Sequence, residues 1–128
     1  MMIVKIVQMR IFGIHEYELK DGIDPQYFEL VLKSALLSPK LDMPGLESRH
    51  FLKGYKSTRK GSYAVLWVFK SQEALEGLFG TEDKPKRGPP NFVEFEDIVL
   101  NKFLDRPAHQ IVFTDYWELA GSGYSRHK

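Results

Sequence analysis

An α+β fold, with one antiparallel four-stranded sheet carrying helices on a single face, is what the sequence predicts. Three observations carry the prediction. Strand-like and helix-like stretches follow in the order strand, helix, strand, strand, helix, helix, strand. Two of the helices open on strong start signals, Asp24-Pro25 and Ser71. And "SYAVLWVF", residues 62–69, is apolar on both faces, so it belongs at the centre of a covered sheet rather than on a solvated one.

Residues 3–19 read as a long first strand. Met9, Ile11, Gly13, His15, Tyr17 and Leu19 fall on one face; Arg10, Phe12, Ile14, Glu16 and Glu18 fall on the other. "KDGID" turns the chain. Asp24 supplies an N-cap carboxylate and Pro25 a preset φ, and "PQYFELVLKSALL" then places Phe28, Val31, Leu32, Ala35 and Leu36 on one stripe. "SPKLDMPG" ends that helix with Pro39 and Pro44. "LESRHFLKGYK" reads as the second strand, with Leu46, His50 and Leu52 in one row, and "STRKG" as a turn. In the third strand, residues 61–70, Tyr63, Val65, Trp67 and Phe69 oppose Ala64, Leu66 and Val68. "SQEALEGLF" is a short helix that buries Ala74, Leu75, Leu78 and Phe79. Residues 80–91, "GTEDKPKRGPPN", form a surface loop, either a binding lid or a plain insertion. "FVEFEDIVLNKFL" returns to helix with Phe92, Phe95, Val99 and Phe103 on its stripe; "DRPA" breaks it, and "HQIVFTDYWEL" is the last strand. One domain over residues 1–120 is expected, with a frayed tail at 121–128.

This order is the split β-α-β, or ferredoxin-like, βαββαβ plan. Both crossovers lay helices on the same face, which leaves the other face of "SYAVLWVF" bare. An identical sheet from a second copy is the simplest cover, so a homodimer, or a larger assembly of dimers, is expected. The alternative, a monomer with an apolar sheet in water, is an aggregation hazard.

Composition narrows the function classes. The chain is 43% hydrophobic and 13% aromatic, enough for a core, and its formal net charge is +1. So balanced a charge gives no footprint for nucleic acid or for an anionic membrane, and neither partner is expected. With no cysteine, disulfides and thiolate metal sites are excluded. "MMIVKIVQMRIFG" is interrupted by Lys5, Gln8 and Arg10 and does not read as a signal peptide. A cytoplasmic location is expected.

"YELKDGIDPQYFE", "MPGLESRHFLKG", "GSYAVLWVFKSQEAL" and "TDYWEL" together resemble the dimeric α/β-barrel superfamily, which includes antibiotic-biosynthesis monooxygenase-like, ethyl-tert-butyl-ether-degradation-like and stress-responsive barrel proteins. The resemblance spans Met9 to Leu119. It implies a barrel of two sheets across a dimer and a ligand cleft between sheet and helices in each subunit. Haem-degrading members carry an early-strand Asn, a third-strand Trp and a helical His. Trp67 matches the Trp, but the asparagines are Asn91 and Asn101, and no His falls in a predicted helix. Haem is therefore not expected. Stress-responsive members carry an early-strand His, from which His15 is offset by about a residue, and a second His that "GLFGTEDKPK" lacks. The branch stays unassigned, and no cofactor is expected.

The candidate chemistry rests on a few side chains. His15 and His50 are each either a hydrogen-bonded core residue or the catalytic base. Held two strand spacings apart, about 10 Å, they are too distant for one metal and suited to gripping a small planar ligand from two sides. No metal site is expected. Tyr63, Trp67, Tyr17 and Trp117 are candidate pocket residues, with dimer core as the other reading. Asp115 shares a row with Ile111, Phe113 and Trp117; it is either an acid–base group of raised pKa or the partner of Arg10 or Arg49 at the dimer seam. The basic groups near residues 53–60 and 84–87 read as solvated surface charge. Together these point to a small apolar, aromatic ligand. The protein would then be a cofactor-free monooxygenase-like enzyme (or an isomerase or lyase), or a non-catalytic binding or assembly protein of the same fold.

Overall fold

Asp24 and Pro25 start a helix as their chemistry requires: the Asp24 carboxylate accepts the Gln26 N–H at 3.0 Å, and α1 runs Pro25–Leu36. A computed structural model of the chain describes residues 8–126. The strands are β1 (Ile11–Tyr17), β2 (Leu46–Lys53), β3 (Tyr63–Phe69) and β4 (Val112–Trp117). α2 spans Gln72–Phe79, with the Ser71 hydroxyl accepting the Ala74 N–H at 3.1 Å. α3 spans Pro90–Glu94 and continues without a break as a π turn, Phe95–Val99, and a 3₁₀ turn, Leu100–Lys102.

The four strands form one sheet in the order β2-β3-β1-β4, each neighbour antiparallel. This is the ferredoxin-like arrangement that the element order predicts. The first strand is shorter than expected: it begins at Ile11, and residues 3–7 lie outside the described part. Beyond Tyr17 only a bridge between Leu19 and Leu104 continues the pairing. The second and last strands are also trimmed, the latter by a 3₁₀ turn at Ala108–Gln110.

Two one-residue insertions shift rows away from the pattern expected of regular elements. In β2, Leu46 pairs with Phe69 while Ser48 pairs with Val68, so the chain bulges at Glu47. Leu46 thereby turns to the helix-covered face, whereas His50 and Leu52 stay on the bare one; they do not share a row with it. In the last helix the π turn adds a residue to the stripe. Leu100, only 1% exposed, takes the core position expected of Val99; Glu96, four residues after Phe92 and so on the same helix face, is buried too.

The core lies between the sheet and α1 with the 90–102 helix. Phe28, Leu32 and Leu36 of α1 meet Tyr63, Val65, Trp67 and Phe69 of β3, and Phe92, Phe95, Leu100 and Phe103 close the layer. Its rings meet edge to face, as with Phe28 on Tyr63 (5.0 Å between centroids) and Phe79 on Phe92 (5.0 Å). α2 covers less: Ala74, Leu75, Leu78 and Phe79 are half-buried. Arg49 ties β2 to the end of α1, donating to the carbonyls of Leu36 (2.5 Å) and Ser38 (2.7 Å) and to Asp42 (2.9 Å).

Among the described residues no helix lies on the other face of the sheet, although Val68 there is only 4% exposed. Strand register lines up Ser48, Val68, Phe12 and Tyr116 in one row, and His50, Leu66, Ile14 and Thr114 in the next. Among the described residues no helix is long and apolar enough to cross a membrane.

Candidate functional site

β4 is where the helix layer stops short. It pairs with β1 but is uncovered, and each of its six residues is exposed. On the helix-facing side, register places Phe113 beside His15 and Val65, Asp115 beside Gly13 and Trp67, and Trp117 beside Ile11 and Phe69. The flank of the covered core is therefore open along β4.

His15 lies at this boundary. The residue is half-buried, and its ring is flanked by Trp67, Phe113 and Phe92, at centroid distances of 5.9, 5.8 and 6.4 Å. Burial disfavours the imidazolium and lowers the pKa to about 4, so the ring is neutral at pH 7. It has no hydrogen-bond partner among the described residues. Of the two readings of this histidine, a core residue satisfied by a hydrogen bond does not describe it.

Trp67 is 2% exposed, and its indole N–H is buried with no acceptor among the described residues. Asp115 lies across Gly13: a Cβ built on Gly13 would stand 2.7 Å from the Asp115 Oδ1. The residue as a whole is exposed, but its carboxyl end turns inward over the sheet, and that burial raises its pKa. Within one protomer Asp115 is not paired with Arg10 or Arg49, so the pairing expected at a dimer seam would have to come from a second copy. Arg10 bonds Glu118 at 2.9 Å and faces Glu47, and Arg49 is held by α1 and Asp42. Trp117 is at the rim, 56% exposed, its indole N–H donating to Gln72 Oε1 at 3.1 Å.

Other predicted residues are elsewhere. His50 is exposed on the bare face, 3.0 Å from the Ser48 hydroxyl. His15 and His50 thus point to opposite sides of the sheet, and a shared grip on one ligand within a protomer is ruled out. Strand spacing alone does not reveal this; the parity of β2 relative to β3 decides it. Tyr63 is on the helix side but at the far end, donating to Glu29 at 2.5 Å, an oxygen that also accepts from Lys53 at 2.9 Å. That partnership lowers the Glu29 pKa, and burial raises that of Tyr63. Tyr17 is fully enclosed in the core, and burial, with Glu96 nearby, raises its pKa.

Three residues escaped the sequence reading. Gly13 had a signal: an isolated glycine inside a strand marks close approach of another group. Phe92 was visible only as core. Glu96 had a signal as well: four residues after Phe92, it falls on the apolar stripe of an ordinary helix. It is 6% exposed, accepts from Arg87 of the 80–91 loop at 3.3 Å, and has its pKa raised by burial. Arg87 also donates to Asp97 at 2.8 Å.

Two shallow clefts, of about 210 and 140 Å³, adjoin Glu16 and Arg59, and neither is lined by His15. In both, Arg59 is paired to Glu16 (3.0 Å) and to Glu18. Among the described residues no group of three His, Asp or Glu side chains is placed to hold a metal.

No family model matches the chain, and neither does any curated protein. Solved structures do. A dimeric ferredoxin-like protein of unknown function from Thermobifida fusca superposes with a TM-score of 0.61 at 15% identity, covering 86% of this chain and 92% of the other. A ferredoxin-like DABB-family protein from Mesorhizobium loti gives 0.56 at 15%, covering 85% and 96%. A candidate antibiotic biosynthesis monooxygenase from Nitrosomonas europaea gives 0.60 at 10%, covering 94% and 100%. At such identities the likeness establishes the fold: the chain is ferredoxin-like, and its structural neighbours include dimeric, DABB-family and monooxygenase-like proteins.

Proposed function

We propose that the chain acts as a homodimer, joined through the bare sheet face, and that each subunit binds a small apolar, aromatic molecule between β4 and the 90–102 helix, over His15. The observation that carries the ligand site is the neutral imidazole of His15, flanked by three aromatic rings beside a strand no helix covers. The dimer is supported by the half-buried apolar side chains of Phe12, Ile14 and Leu66, and by the T. fusca neighbour being described as dimeric.

The reaction class is proton removal from an acidic carbon or hydroxyl of the substrate. The His15 lone pair takes the proton, and the aromatic cage holds the resulting planar anion against the imidazolium, which raises the basicity of a ring that is a weak base on its own. An electron-rich anion of this kind can itself reduce dioxygen: a ring CH₂ becomes C=O, and the second oxygen atom leaves as water. The candidate monooxygenase among the neighbours supports that direction. A second reading, binding without turnover, is favoured by the low basicity of His15.

Anthrone, whose CH₂ is acidic and whose oxidation product is anthraquinone, separates the two. Dioxygen uptake above the uncatalysed rate, lost in His15→Gln, supports the enzyme. Binding of anthrone without uptake leaves the binding protein. Native mass spectrometry tests the assembly, and a monomer at micromolar concentration would overturn it.

A further inference from the structure

The 80–91 loop is a folded unit, not a slack connection. Gly80 and Pro85 form a bridge, the Lys86 N–H donates to the Phe79 carbonyl at 2.8 Å, and the Lys84 N–H donates to the Thr81 hydroxyl at 3.1 Å. Two glycines bound it. Gly80 (φ +75°) and Gly88 (φ +107°) take backbone angles that a side chain resists. A Cβ at Gly80 would collide with the Lys84 carbonyl oxygen, and one at Gly88 with the Phe79 ring. Pro89 and Pro90 then fix the entry into α3. Between the glycines, residues 81–87 are each exposed.

Few ties hold this unit to the body of the protein. Arg87 donates to Glu96 at 3.3 Å and to Asp97 at 2.8 Å, and the Gly88 backbone lies against the Phe79 ring. Both ties lead towards the ligand site. The Phe79 ring meets Phe92 at 5.0 Å, and Phe92 flanks His15 at 6.4 Å. Glu96 shares a helix face with the same Phe92. The Glu96 carboxylate is costly to bury unless paired, and among the described residues Arg87 is its one hydrogen-bond donor. A buried charge on the helix is thus answered from an exposed loop, by a single guanidinium that can let go without disturbing the core.

We propose that residues 80–88 are a flap against the Phe79–Phe92 side of the ligand site, swinging on Gly80 and Gly88, and that the clasp of Arg87 on Glu96 and Asp97 sets how fast a ligand enters and leaves. Opening withdraws Gly88 from Phe79, which frees Phe79 and then Phe92 to turn away from His15. The flap regulates the site proposed above and rests on that reading.

Amide hydrogen exchange on the full chain, followed by NMR, tests the clasp. The Lys86 N–H reports flap opening, and the Val65 and Trp67 N–H groups in the middle of the sheet report global unfolding. Arg87→Ala is expected to quicken Lys86 exchange about tenfold and leave Val65 and Trp67 unchanged. Glu96→Gln should quicken it several-fold without lowering global stability, because the charge left behind, Arg87, is exposed and keeps Asp97. Stopped-flow binding of 1-naphthol, read by tryptophan fluorescence, tests the gate. In Arg87→Ala its association and dissociation should both quicken about tenfold, with affinity held within about twofold, since a gate changes rates and not the bound state. Unchanged Lys86 exchange in Arg87→Ala would overturn the flap while leaving the ligand site intact. So would equal quickening of Val65 and Trp67, or faster exchange with unaltered naphthol rates. If 1-naphthol perturbs none of His15, Phe92 and Phe113 in the unaltered chain, the ligand site itself is wrong and the gate goes with it.

Discussion

Strands β3 and β4 are written in nearly the same alphabet, "YAVLWVF" and "VFTDYW", yet their environments differ completely. β3 has a strand on each side and helices above, and Trp67 is 2% exposed. β4 has one neighbour and no cover, and Phe113 is 59% exposed. An aromatic, alternating stretch states that it will bury surface, but its neighbours decide whether folding, assembly or a ligand does the burying.

The largest test of that contrast sets the two tryptophans side by side. Trp67→Ala should lower unfolding free energy by about 3–5 kcal/mol in urea titrations, and Trp117→Ala by less than about 1. Similar losses would break the comparison. Next comes the outer face of β3. Leu66→Asp places a charge at the middle of the proposed dimer contact, and should raise the dimer dissociation constant by about two orders of magnitude in sedimentation experiments, because an unpaired carboxylate resists burial. An unchanged dimer would move the interface off this face.

His15 sharpens the comparison, since β3 and β4 each supply a wall of its cage. Its folded pKa is depressed, so the unfolded chain binds the extra proton first. The stability it contributes is complete above about pH 6.5 and is lost as the pH falls towards about 4. At about 1.4 kcal/mol per unit, the loss is up to about 3 kcal/mol, and His15→Gln should flatten it. Phe113→Ala opens the β4 wall alone and should bring the His15 pKa part of the way back, measurable by NMR titration. The smallest effect is at the rim: Gln72→Ala removes one exposed hydrogen bond to Trp117 and should cost about 0.5 kcal/mol or less.

Helix starts, strand faces and the plan of the sheet were legible because each has a local cause. Asp24, Pro25 and Ser71 act within three residues of themselves, and the two faces of residues 63–69 follow from period two alone. Leu46, Val99 and His50 show the limit. A bulge at Glu47 and a π turn at 95–99 each add one residue without a glycine or proline to mark it, and a row is misplaced from there on. The arginines show another limit. Arg49 is long enough to choose among several acceptors, and the chain's path, not its order, brings Leu36, Ser38 and Asp42 within reach. Of the proposed site, Trp67, His15, Asp115 and Trp117 are candidates that sequence chemistry names; Gly13 and Phe92 enter only with the packed sheet.

The π turn also bears on how relatives of such a chain are compared. One residue more or fewer in that helix rotates everything beyond it by about 100°. A relative without the extra residue would present a different side chain where Leu100 now packs, while its Phe92 end stayed in place. An alignment that forbids a gap inside a helix would match Val99 of this chain to a core position that Leu100 fills. It would then score every later residue against the wrong counterpart. Superposition of backbones is the sounder ruler here, and a deletion of Asp97, exposed on the outside of the turn, is the mutation that would reset the frame.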